Sequence, residues 1–104
     1  MTVKITYTSI RPSTDIKFYS GEFWSLPEVI SYMKTTYEDT QKLLSTSFED
    51  SEDLLTHVWT EHWDSQTSIE EFWKDTFLQP ALVERNNYRI QNGIERTHVI
   101  EQVV

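Results

Sequence analysis

Three histidines (His57, His62, His98), four tryptophans (Trp24, Trp59, Trp63, Trp73) and three arginines near the C-terminus (Arg85, Arg89, Arg96) are the side chains of this 104-residue chain whose chemistry reaches beyond packing. Imidazoles bind metals or move protons near neutral pH. Indoles offer flat apolar faces with one N–H donor each. Guanidinium groups grip carboxylates and phenolates through paired hydrogen bonds. Spacing sorts these options. His57 and Glu61 share one face of a strand pattern, but four residues along a strand span roughly 13 Å. One ion with bonds of about 2 Å cannot take both. His62 points to the opposite face, and His98 belongs to a later strand that could approach either of two others. No metal site and no cofactor are expected. His57 is the best candidate for a proton acceptor.

Trp59 and Trp63 fall on the same strand face as His57, and Trp73 lies on a facing helix. Together they suggest the wall of a flat aromatic pocket. The competing reading is that the indoles fill the core, because Trp buries a large area. The arginines are scarce cations among 17 acidic and 9 basic residues. Ion pairing with the surplus carboxylates is expected to absorb them, with ligand binding the alternative. The acidic turn at 49–53 lacks the Gly and alternating ligands of a calcium loop, so it reads as solvated charge. No Ser-His-Asp order, Gly-rich phosphate loop or paired-carboxylate motif is present.

These residues need elements to hold them. Residues 3–10 alternate, with Val3, Ile5 and Tyr7 on one side, as a half-buried strand does. The aromatic-rich segment 16–24, with Phe18, Tyr19, Phe23 and Trp24, reads as an edge extension or a loop partly covering the core. Ser25-Leu26-Pro27-Glu28 has the form of a capping box, with Ser25 as N-cap. It opens a helix whose stripe is Leu26, Val29, Ile30, Met33 and Tyr37, fading at 38–40. A strand over 43–48, the turn at 49–53 and a strand over 54–63 follow. A second helix starts at Ser65 or at Thr67, the latter giving a second capping box with Glu70. Its stripe is Ile69, Phe72, Trp73 and Phe77, and Pro80 is expected to end or kink it. A helical piece over 81–91 stops at Asn92-Gly93. A fourth strand covers 94–104.

The order is β-α-β-β-α-β, a ferredoxin-like split. The expected fold is α+β, one domain over 1–104, an antiparallel sheet with helices on one face. His57, Trp59, Glu61 and Trp63 occupy one face of the third strand, and Thr56, Val58, Thr60 and His62 the other. Sizeable groups on both faces imply that both are covered. The helices serve only one, so a second copy of the chain is the expected cover for the other.

Composition narrows the function. A formal charge of −8 repels phosphate backbones and anionic membrane surfaces, so neither nucleic acid nor membrane is an expected partner. Aromatics at 13% argue against disorder. The absence of cysteine removes thiolate and disulfide chemistry and fits a reducing compartment. The alternating N-terminus lacks the apolar run of a signal peptide. A cytoplasmic location is the default expectation.

The run Leu43-Leu44-Ser45-Thr46-Ser47-Phe48, the acidic turn, residues 58–63, Asp64-Ser65 and Ile69-Glu70-Glu71-Phe72 resemble the central segment of the antibiotic-biosynthesis-monooxygenase-like domains, part of the dimeric α/β-barrel group. The resemblance spans the chain by element order and 43–77 by residue pattern. It implies a homodimeric α/β barrel with two sheets face to face and a pocket between each sheet and its own helices. The family includes oxygenases without metal or flavin, whose polar and aromatic pocket groups imply Tyr7, Trp63, Trp73 and Arg89 as equivalents in type, and haem-degrading enzymes, whose second-helix Trp is matched by Phe72 or Trp73. The latter use an Asn on the first strand, where this chain has Thr6, Tyr7 and Thr8. Their His position falls near Leu82, which cannot ligate iron, so haem degradation is disfavoured. Two functions remain. One is a cofactor-independent oxygenase acting on an aromatic or apolar small molecule. The other is a non-catalytic dimer that binds a small ligand or serves as an interaction module.

Overall fold

The computed structural model describes residues 2–19 and 23–103, the side chain of Phe23 excepted. The segment 20–22 and the Phe23 side chain, part of the aromatic stretch expected to cover the core, lie outside the described residues.

Strand β1 (Thr2–Ile10) is the centre of the sheet. It pairs antiparallel with β3 (Thr56–Trp63) on one side and β4 (Glu95–Val103) on the other, and β2 (Leu43–Asp50) adds to β3. The order is β2-β3-β1-β4. Helix α1 (Pro27–Met33) follows a 3-10 turn (Phe23–Ser25) and runs on as a π turn (Lys34–Glu38). Helices α2 (Gln66–Trp73) and α3 (Gln79–Gln91) lie between β3 and β4. This is the α+β ferredoxin-like split, with an all-antiparallel four-stranded sheet.

Strand alternation decides the faces. The register sets Val3 opposite Trp63, Ile5 opposite Glu61 and Tyr7 opposite Trp59. Val3, Ile5, Tyr7 and Trp63 are buried there, under Val29, Tyr37, Ile69, Phe72 and Leu78. The opposite face carries Thr6, Thr60 and Val99 in one row and Thr8, Val58 and Thr97 in the next. The smallest extent of the molecule is 19 Å, which fits two layers of about 10 Å each. A helix layer therefore covers one sheet face only.

Several local expectations are corrected. Leu26, not Ser25, is the N-cap of α1, and its side chain makes no cap bond. The Ser25 capping box does not form, because Ser25 closes the preceding 3-10 turn. Val29, Met33 and Tyr37 face the core at four-residue steps, while Leu26 and Ile30 are exposed. Helix α2 takes Ser65 as its cap, with Ser65 Oγ accepting from the Ser68 amide at 3.3 Å. The Thr67 box is thereby lost inside the helix. Helix α2 ends at Trp73, so Phe77 falls in a turn where Asp75 Oδ1 accepts from the Phe77 amide at 2.9 Å. Pro80 opens α3 instead of breaking α2, since its missing N–H costs nothing in a first turn. The acidic hairpin turn sits two residues later than expected. Glu49 and Asp50 stay in β2, Leu54 adopts φ of 61° in the turn, and β3 starts at Thr56.

Gly93 ends α3 as expected, at φ of 68°. The Ile94 amide returns to Arg89 O at 3.0 Å and the Gly93 amide to Ile90 O at 3.3 Å, the two bonds of a Schellman stop. That stop turns the chain so that Arg85 and Arg89 on α3 and Arg96 on β4 come to one place.

Candidate functional site

A cavity of about 370 Å³ opens between the inner sheet face and the helices, within the usual range for small-molecule pockets. The sheet supplies its floor. Tyr7 comes from β1, His57, Trp59 and Glu61 from β3, and Arg96 from β4. Helix α3 supplies Arg85 and Arg89, which sit on one side of the helix because they are four residues apart. Phe72 and Trp24 close the helical end, their rings stacked at 6.4 Å.

The segment after β1 forms the rim. Arg11 Nε donates to Leu54 O and Nη1 to Ile16 O, both at 2.8 Å. The same guanidinium lies 4.4 Å from the centre of the Phe18 ring. Tyr88 Oη donates to Lys17 O at 2.8 Å, tying the segment to α3. Phe18, held this way, sits 5.3 Å from the His57 ring. His57 is clasped on its other sides by Phe48 at 5.5 Å and Trp59 at 6.4 Å. Its Nδ1 lies 2.7 Å from Asp50 Oδ1, across the β2–β3 pair.

The polar interior is unevenly charged. Glu61 accepts from two indoles: Trp59 Nε1 donates to Oε2 at 2.9 Å and Trp63 Nε1 to Oε1 at 3.1 Å. Trp73 Nε1 donates to Tyr7 Oη at 3.1 Å. Burial, then the Glu61 charge, pushes the Tyr7 phenol above its ordinary value. Arg96 stacks over the Tyr7 ring at 4.2 Å. Burial, and then repulsion by Arg85, pulls the Arg96 guanidinium down to about 10. Burial also lowers Arg85.

The expectation that carboxylates absorb the arginines is corrected. Among the described residues the ion pairs of Lys and Arg are Lys4–Glu101, Lys34–Asp39 and Lys42–Glu71. None includes Arg85, Arg89 or Arg96. The cavity holds all three arginines together with Glu38 and Glu61, without an ion pair between them. Arg89 is instead held by Ile94 O at 3.1 Å and Asn86 Oδ1 at 2.8 Å.

Of the residues singled out in the sequence, Tyr7, His57, Trp59, Phe72 and Arg89 line the cavity. Trp63 does not; it is 0% exposed beneath Tyr37 and Phe72. Trp73 stands behind Tyr7, bonded to its hydroxyl, with His98 5.5 Å away. In the sequence Glu61 stood out only as a rejected metal partner of His57 on the strand face that also carries Trp59 and Trp63. That alternation already placed a carboxylate within reach of both indoles. Arg85 and Arg96, singled out with Arg89 as scarce cations, line the cavity as well. No three His, Asp or Glu side chains among the described residues converge as metal ligands would. No helix among them is long and apolar enough to cross a membrane.

No family model matches the chain, and no curated protein sequence does. Solved structures do share its fold. A dimeric ferredoxin-like protein from an uncultured marine organism has a TM-score of 0.61 at 13% identity, over 99% of this chain and 95% of its own. SnoaB, a cofactor-independent oxygenase from Streptomyces nogalater, gives 0.62 at 8% identity, over 99% and 93%. A candidate antibiotic biosynthesis monooxygenase from Deinococcus radiodurans gives 0.58 at 12% identity, over 97% and 92%. At such identities the likeness is one of fold: the chain has the ferredoxin-like architecture that these monooxygenase-like and dimeric proteins use.

Proposed function

We propose that the protein is a homodimeric α/β barrel that takes a flat aromatic small molecule into the sheet–helix cavity and oxygenates it without a cofactor. The observation that carries this reading is the His57–Asp50 pair set in an aromatic wall beside unpaired arginines. With Nδ1 donating to Asp50, His57 presents Nε2 as a proton acceptor. A substrate with an acidic methylene loses a proton to it. The cations of the same cavity stabilise the resulting anion. The carbanion passes electrons to dioxygen. One oxygen atom stays on carbon as a carbonyl, and the other leaves as water with the two methylene hydrogens. The fold likeness to a cofactor-independent oxygenase supports the same reading. The cysteine-free composition supports a cytoplasmic setting.

One observation favours a second reading. The carboxylate of Glu61, inside the cavity, already has both oxygens engaged by indoles. A carboxylate held in this way serves binding, and a binding dimer without turnover needs no base at all. Oxygen uptake separates the two. Purified protein, stripped of metal by chelator, is supplied with a panel of polycyclic phenols in an oxygen electrode. Uptake that falls at least a hundredfold in His57→Ala supports the oxygenase. Saturable binding of the same phenols with no uptake supports the binder.

A further inference from the structure

The cavity is built for more than an apolar ring. Arg85 and Arg96 are both half-buried on its wall, and among the described residues neither donates a hydrogen bond to any acceptor. The Nε of Arg96 is wholly shielded and has no partner. Buried donors are almost always satisfied, and one attached to a charge is costly to leave unmade. The chain does not lack acceptors, with 17 acidic residues against 9 basic. It pairs lysines with them at the surface and keeps these two guanidinium groups apart from them. The two arginines also repel each other. Glu61 attracts both, but the bonds its oxygens accept come from Trp59 and Trp63 and not from either arginine.

We propose that the ligand of this cavity is an aromatic carboxylate, its ring against Tyr7 and the Trp59 face and its carboxylate between Arg85 and Arg96. This rests on the cavity being a small-molecule site, as proposed above, and adds the chemical class. One guanidinium matches the edge of a planar carboxylate with two parallel N–H bonds, and the lone pairs that remain take donors from a second. The neighbouring rings account for the aromatic part, since Arg96 already stacks on Tyr7 at 4.2 Å and a flat ligand extends that layer. Arg89 does not share the role, being held by Ile94 O and Asn86.

The test is calorimetric titration of the full chain with naphthalene-2-carboxylate and with naphthalene-2-carboxamide, which has the same shape and no charge. The carboxylate is expected to bind at least tenfold tighter than the amide. Arg85→Gln and Arg96→Gln should each remove about tenfold of the carboxylate affinity and narrow the carboxylate-to-amide ratio, with thermal melts confirming that they fold. The wild-type ratio stands without the variants, should either fail to fold. Equal affinity for the two probes overturns the carboxylate assignment and leaves the aromatic cavity standing. Binding of neither probe overturns both. Saturable binding of inorganic phosphate, with the carboxylate no tighter than the amide, also overturns the assignment and gives the arginines to a free anion.

Discussion

A half-buried guanidinium without an acidic partner costs the empty fold stability, because its desolvation is not repaid. Arg96→Met keeps the apolar stem and removes the charge. Urea denaturation of the ligand-free variant should show stability equal to wild type or higher by about 1 kcal/mol; a loss of that size would mean that Arg96 serves folding. Asp75 shows the opposite economy. Its Oδ2 accepts from Tyr32 Oη at 2.6 Å and from Tyr37 Oη. Burial pushes the Asp75 carboxyl up, but these hydroxyls and the amides of Phe77 and Leu78 outweigh it and hold it below its ordinary 3.8. Its pKa is thus lower folded than unfolded, so its contribution is present above pH 3.8 and is lost as the pH falls below that value. Asp75→Asn should lower the urea midpoint at pH 7, and the gap to wild type should shrink below about pH 3.8. A gap independent of pH would show that the ionised form is not what the tyrosines hold. Neither arrangement was legible from residue types. Tyr32, Tyr37 and Asp75 are separated by up to 43 residues, and only packing brings them together. His57, Trp59 and Tyr7 were legible because strand alternation alone assigns their face.

At the scale of elements, periodicity gave all four strands and the three helical segments, and errors gathered where two local signals compete. Ser25 and Thr67 both had capping spacing. The cap went to Ser65, whose extended backbone lets Oγ reach the Ser68 amide. Pro80 reads equally as a stop or a start, and the turn bonds of Asp75 decided for a start. The Gly93 stop was unambiguous, since its φ of 68° belongs to the left-handed region. A Cβ there would meet Pro12 Cγ at 3.8 Å, an ordinary contact. Gly93→Ala should therefore cost only backbone strain, about 1–2 kcal/mol by chemical denaturation. Because that stop aims Arg85 and Arg96 into one cavity, the variant should also weaken naphthalene-2-carboxylate binding. A destabilised protein with unchanged affinity would uncouple the stop from the cavity.

At the scale of the whole molecule, the sheet face away from the helices is half-exposed, with Thr6, Thr60 and Val58 at its centre and Val99 exposed beside them. In the proposed homodimer a second copy packs sheet to sheet over that face. A charge there would be buried without a partner, so Val58→Asp should shift native mass spectra from two chains to one. An unchanged dimer mass would place the interface elsewhere. The central claim concerns the other face: the sheet–helix cavity is the binding site. The most direct measurement follows the four indole N–H resonances of isotope-labelled protein during titration with naphthalene-2-carboxylate. Trp59 and Trp24 line the cavity, whereas Trp63 is sealed in the core. The expected result is a saturable shift of the Trp59 and Trp24 signals with Trp63 nearly still. Shifts confined to residues of the Val58 face, or none at saturating probe, would contradict the claim.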